Sequence, residues 1–82
     1  MSTETQLISE TAKWHIKAEK EFLKIKPKGK KGEEFAKNIS AYLSDTKHFT
    51  GKKDYVRAFE AVIWAWAWIE IGKEIGILLE RK

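Results

Sequence analysis

The chain has no cysteine, so neither a disulfide nor a thiolate metal site can support its fold. Proline occurs once, at Pro27, and arginine twice, at Arg57 and Arg81. No uncharged apolar run exceeds nine residues, Ala61 to Ile69, against the roughly 20 that a membrane span needs. The opening residues, Met-Ser-Thr-Glu-Thr-Gln, lack the basic-then-apolar order of a signal peptide. A cytoplasmic chain with no membrane partner is the expectation. Also missing are a Walker-type phosphate loop, a dinucleotide fingerprint, a serine elbow and a two-histidine zinc helix. No catalytic residue, metal site or cofactor is therefore expected.

What is present suits one small folded domain spanning residues 1–82. Hydrophobic residues make up 43% and charged residues 34%, which argues against disorder. A chain of 82 residues buries only about 60% of its unfolded surface, so its core has little margin. The net charge of +4 is uneven. Residues 1–31 carry +4, residues 32–50 carry −1 and residues 51–82 carry +1. A basic first third permits contact with nucleic acid or an acidic partner without requiring it.

The pattern predicts an all-α three-helix bundle with antiparallel helices 2 and 3 and a long C-terminal helix. The first helix runs over about 3–25, capped by Ser2 or Thr3. Its broad apolar face includes Leu7, Ile8, Trp14, Ile16 and Phe22, and Lys13, Lys17, Lys20 and Lys24 line the other side. Pro27 ends it, since the residue before proline avoids helical geometry. Lys26 to Gly32 reads as a loop. The second helix spans about 33–50, with Phe35, Ile39, Tyr42, Thr46 and Phe49 in one stripe. Gly51 is placed to stop it as a left-handed residue. Asp54 caps the third helix, about 55–80.

That third helix carries Trp64, Trp66 and Trp68 alternating with alanine. Ala58, Ala61, Ala65, Gly72 and Gly76 form a strip of small residues that admits a close neighbour. Trp64, Trp68, Ile71, Ile75 and Leu78 form a seam on one flank, and Tyr55, Phe59, Val62, Trp66 and Ile69 form another. Together the apolar arc covers roughly 260° at 100° per residue. Two partner helices cannot comfortably shelter that much, unless the long first helix wraps the third and hides it. Burying one large apolar side chain is worth about 1.5 to 3 kcal/mol, so self-association, simplest as a homodimer, is the economical outcome. The candidate interface is Trp64, Trp68, Ile71, Ile75 and Leu78.

Two polar features compete with that reading. His15 and Glu19 lie one turn apart, and Asp45 and His48 lie three apart. Only one approximate copy of a carboxylate–histidine metal pattern exists where such sites need two. Hydrogen bonds from tryptophan, tyrosine or backbone donors to Glu19 and Asp45 are the structural expectation. Lys17–Glu21 and Glu21–Lys24 read as solvated-face pairs. Lys24, Lys26, Lys28, Lys30 and Lys31 form the alternative site, a weak RNA- or DNA-binding patch. No aromatic side chain interleaves these lysines as a base-stacking platform requires.

Ala41-Tyr42-Leu43-Ser44-Asp45, Phe49, the Lys53-Asp54-Tyr55 turn, Ala58-Phe59 and Ala65 to Gly72 resemble the archaeal family called domain of unknown function 357. That family carries Tyr-x-x-Asp, Phe, Gly-Asp-x-x-x-Ala and Tyr-Ala-x-Gly-Trp-Leu-Asp-Ala-Gly. Departures are Trp64 for tyrosine, Ala67 for glycine, Glu70 for aspartate and Ile71 for alanine. The likeness covers about Phe35 to Leu79. It implies a compact three-helix bundle from an archaeal cytoplasm and supplies no activity. A fainter likeness to helical nucleotide-binding ribonucleases fails, because no histidine follows Arg57. The sequence thus points to a non-enzymatic interaction module.

Overall fold

The computed structural model describes residues 2–81. Ser2 begins α1 (Thr3–Leu23), its hydroxyl accepting from the Thr5 amide at 3.1 Å. The helix closes when the Lys24 amide donates to the Glu21 carbonyl at 3.0 Å. It ends two residues before the expected Ile25, because Ile25–Pro27 is a strand, β1. Then come α2 (Gly29–Gly51), α3 (Tyr55–Glu74) and a second short strand, β2 (Leu78–Glu80). The expected three-helix bundle is present, with a two-stranded clasp added to it.

The clasp corrects two expectations. Residues 26–32 are not a loop but the end of β1 and the first turn of α2, which starts four residues earlier than expected. The third helix stops at Glu74, not Glu80. Gly76 stops it: at φ +79° it takes the left-handed conformation that closes a helix. Its amide donates to the Lys73 carbonyl at 3.2 Å, and the Ile77 amide reaches the Gly72 carbonyl at 3.0 Å. The chain then turns back. β2 pairs antiparallel with β1, setting Ile25 against Glu80, Lys26 against Leu79 and Pro27 against Leu78. Lys28 N–H to Ile77 O, at 2.8 Å, continues the pairing.

Leu78 is consequently 2% exposed and belongs to the core, not to an outward seam. It lies over Gly72, where a Cβ would collide with the Leu78 side chain and crowd Phe35. Gly72 is thus a packing glycine, whereas Gly76 is a turn glycine outside the helix.

With Ile25 of β1, the rest of the core is helical: Ala18 from α1, Phe35, Ile39 and Leu43 from α2, and Val62, Ala65 and Ile69 from α3. Phe35–Trp68, Tyr42–Trp64 and Arg57 near Phe49 succeed one another in opposite chain directions, so α2 and α3 are antiparallel neighbours. The turn between them is Lys52-Lys53-Asp54. Asp54 caps α3 through the Arg57 amide at 3.2 Å. Lys53, at φ +61°, takes the left-handed position expected of Gly51, which instead finishes α2. On the other flank of α3, Trp66 meets Trp14 edge-on at 5.8 Å and donates its indole N–H to the Trp14 carbonyl at 3.1 Å.

Candidate interaction surface

α2 covers α3 most extensively, α1 covers it less, and α1 and α2 barely touch each other. The buried line of α3 is Ala58, Ala61, Val62, Ala65, Ile69 and Gly72. At 100° per residue this line and its two flanks take up a little over half of the circumference. The remainder faces outward. Trp64 is 56% exposed, Ile71 49% and Ile75 57%, with Val56 and Ile63 also exposed beside them. Glu60, Glu70 and Glu74 stand among these side chains, all exposed.

Of the five expected interface residues, three therefore lie together on the surface: Trp64, Ile71 and Ile75. Trp68 is half-buried, edge-on to Phe35 with ring centroids 4.5 Å apart. Leu78 is removed by the β2 turn. Val56 and Ile63 were missed, although their seven-residue spacing places them on one line of the helix. Trp64 is not loose, since its ring stacks on Tyr42 at 6.4 Å and 20°.

A second feature lies between α1 and α2. Two hollows, of about 380 and 440 Å³, run along the seam where these helices diverge. The α1 side includes Ile8, Phe22 and Leu23, and the α2 side includes Ser40, Ser44 and Gly51 beside Leu43 and Lys47. Across the middle, Lys47 Nζ reaches Glu19 Oε2 at 3.3 Å. His15 Nε2 lies 3.7 Å from the same carboxylate oxygen, beyond hydrogen-bond range, and is buried without a partner among the described residues. Glu19 thus pairs with lysine rather than accepting from an aromatic donor, and Asp45 and His48 lie exposed. Among the described residues no group of three or more His, Asp or Glu is arranged to hold a metal.

The fold and both surfaces can be set beside known proteins. The profile of the family described as "Protein of unknown function (DUF357)" matches residues 7–78. The chain belongs to that family. It is similar to protein AF1782 from Archaeoglobus fulgidus, a crystal structure assigned to DUF357, at 48% identity and a TM-score of 0.90. The likeness covers 98% of this chain and 100% of that one. No curated protein matches significantly. The DUF357 assignment carries a fold and no activity.

In this DUF357 chain the lysines of the alternative site gather at one end of the molecule. Lys24 follows α1, Lys26 lies in β1, Lys28 precedes α2, and Lys30 and Lys31 occupy its first turn, all exposed. Lys31 pairs with Glu34 at 3.8 Å. Two lysines beside the positive end of a helix, with no acid in its first turn, are locally unfavourable. Glu21, expected to pair along α1, instead crosses to α3 and accepts from Lys73 at 2.8 Å. That hydrogen bond raises the Lys73 pKa above its ordinary 10.5, outweighing the opposite effect of partial burial. Lys17 sits over the Trp14 ring at 4.9 Å. No helix among the described residues is long and apolar enough to cross a membrane.

Proposed function

We propose that this chain is a cytoplasmic, non-enzymatic interaction module that self-associates through the outward face of α3. The observation that carries the reading is the row Trp64, Ile71 and Ile75, each about half exposed, flanked by Val56 and Ile63. Single exposed apolar residues are ordinary, but a contiguous row along one helix marks a contact surface. In a domain with so small a core, covering that row gains more than leaving it wet. Trp64 is already oriented by Tyr42, which lowers the entropy cost of using it as an anchor. Light scattering behind a sizing column tests the reading. Mass should rise above the monomer with concentration, and Trp64→Ala or Ile71→Ala should reverse it while Lys28→Ala should not. A monomer throughout refutes it.

A second reading is supported by one specific feature, the lysine cluster of Lys24, Lys26, Lys28 and Lys30, for which no ion pair is found among the described residues. It predicts polyanion binding without base readout. Binding to mixed RNA should then fall steeply with salt, each Lys→Ala lowering the log–log slope by about 0.7 to 0.9. Absence of binding at low salt would dispose of it.

A further inference from the structure

The α3 face is poorly suited to meet itself. At 100° per residue, Glu60, Ala67 and Glu74 run between the Val56–Ile63–Glu70 line and the Trp64–Ile71–Ile75 row. Pairing two copies of this face about a two-fold axis sets carboxylates against carboxylates in the middle of the contact. Of the basic side chains nearby, Arg57 lies 3.6 Å from Asp54 and Lys73 is held by Glu21. Burying like charges without partners costs several kcal/mol, more than the apolar row readily returns.

The groove between α1 and α2 has the opposite character. Its α1 wall offers Ile8 and Leu23, both exposed. On its α2 wall the short side chains Ser40 and Ser44 flank Leu43 and leave room for a helix to approach. Lys47 spans its waist, by helical position Lys37 stands at its α2 edge beside Glu33, and Lys20 lies beyond Leu23 on the α1 side. From Ile8 to Leu23 it is about 22 Å long, enough to take the Trp64–Ile75 row of about 16 Å. His15 Nε2 adds an independent sign of an unfilled site, since a buried imidazole nitrogen without a partner is rare in a finished core. An arriving carboxylate would supply that partner. The Glu19–Lys47 pair now in place is partly exposed and worth little, so exchanging it costs little.

We propose that the acidic, apolar outward face of α3 docks into the basic-edged α1–α2 groove of a second copy, so that the chain self-associates head to tail. The inserted helix becomes the fourth member of a bundle. Each contact uses the row of one molecule and the groove of another, leaving one of each unused at the ends. Assembly therefore continues past the dimer, either closing into a ring or remaining open. This rests on the reading that the α3 face mediates self-association, and it names the surface which that face meets.

Two variants separate the inference from the reading. The row variant is Trp64→Ala/Ile71→Ala, and the groove variant is Leu23→Glu/Ser44→Glu, which sets new acids against those of α3. Leu23 is 75% exposed and Ser44 is exposed, so the groove variant keeps its core. Circular dichroism checks its helicity, with Lys20→Glu/Lys47→Glu as the replacement should it fail. Sedimentation velocity should show each variant alone associating at least about tenfold more weakly than the parent. Mixed in equal amounts they should form a one-to-one dimer that grows no further, as only one intact row and one intact groove remain. If the groove variant alone associates as the parent does, or the mixture stays monomeric, the head-to-tail inference falls and the α3 reading survives. If the row variant associates as the parent does, or the parent is a monomer throughout, both fall.

Discussion

The two seams of α2 differ in the size of the side chains that meet there. Toward α3, α2 presents Phe35, Tyr42 and Phe49 at seven-residue spacing, and each finds an aromatic ring or a guanidinium opposite. Toward α1 it presents Ser40, Ser44 and Gly51 beside the single large apolar Leu43, and there the helices diverge around two hollows. Helix spacing is set by what stands between the helices, so large side chains make the α2–α3 seam a core and small ones leave the α1–α2 seam open.

That contrast can be broken from its strong side first. Phe35→Ala should cost about 3 to 5 kcal/mol, since it removes a buried ring from beside Trp68 and Gly72. Leu23→Ala, across the open seam, should fall within about 0.5 kcal/mol of the parent. Urea denaturation of both would measure the ratio. A Phe35→Ala variant as stable as the parent would show that the two seams are equivalent.

The Glu21–Lys73 pair joins α1 to α3 and should matter less. A double-mutant cycle should give a coupling of about 0.5 to 1 kcal/mol, limited by solvent access to a pair at the bundle edge. Its pH dependence has a definite sign. The folded-state pKa of Lys73 lies above 10.5, so the contribution is complete below pH 10.5 and fades as pH rises through the folded value. Thermal melts of parent and Glu21→Gln should therefore converge in that alkaline window. Convergence on acidification through neutral pH would contradict the assignment.

The smallest expected change is a gain. Lys53 is a non-glycine residue at φ +61°, so Lys53→Gly should stabilise the α2–α3 turn by up to about 1 kcal/mol. For a domain of this size that corresponds to a rise in Tm of about 4 to 8 °C. An unchanged or lower Tm would mean that the turn carries no such strain.

Much of this architecture could be read in the residues. Ser2 and Asp54 are caps as expected, and the Phe35–Ile39–Tyr42–Thr46–Phe49 stripe is the inner side of α2. What escaped was non-local. Gly76 was a visible stop signal, but Ile77, Leu78 and Leu79 continue the apolar pattern of α3, and periodicity favoured the helix. β1 and β2 are three residues each and lie more than 50 positions apart. Neither shows an alternating pattern long enough to betray a strand. That error carried Leu78 into the candidate interface. The surplus of apolar surface on α3 was legible because it is a property of one helix. The groove depends on how far two helices stand apart, which no single helix encodes.

Trp64 gives the molecule an optical handle. It is the one indole that stands mostly in solvent, while Trp14, Trp66 and Trp68 are half-covered. Emission from the chain is thus a sum of three sheltered fluorophores and one accessible to a collisional quencher such as acrylamide. Dilution or crowding that changes the quenchable fraction reports on this single ring, without a label attached to the surface under test.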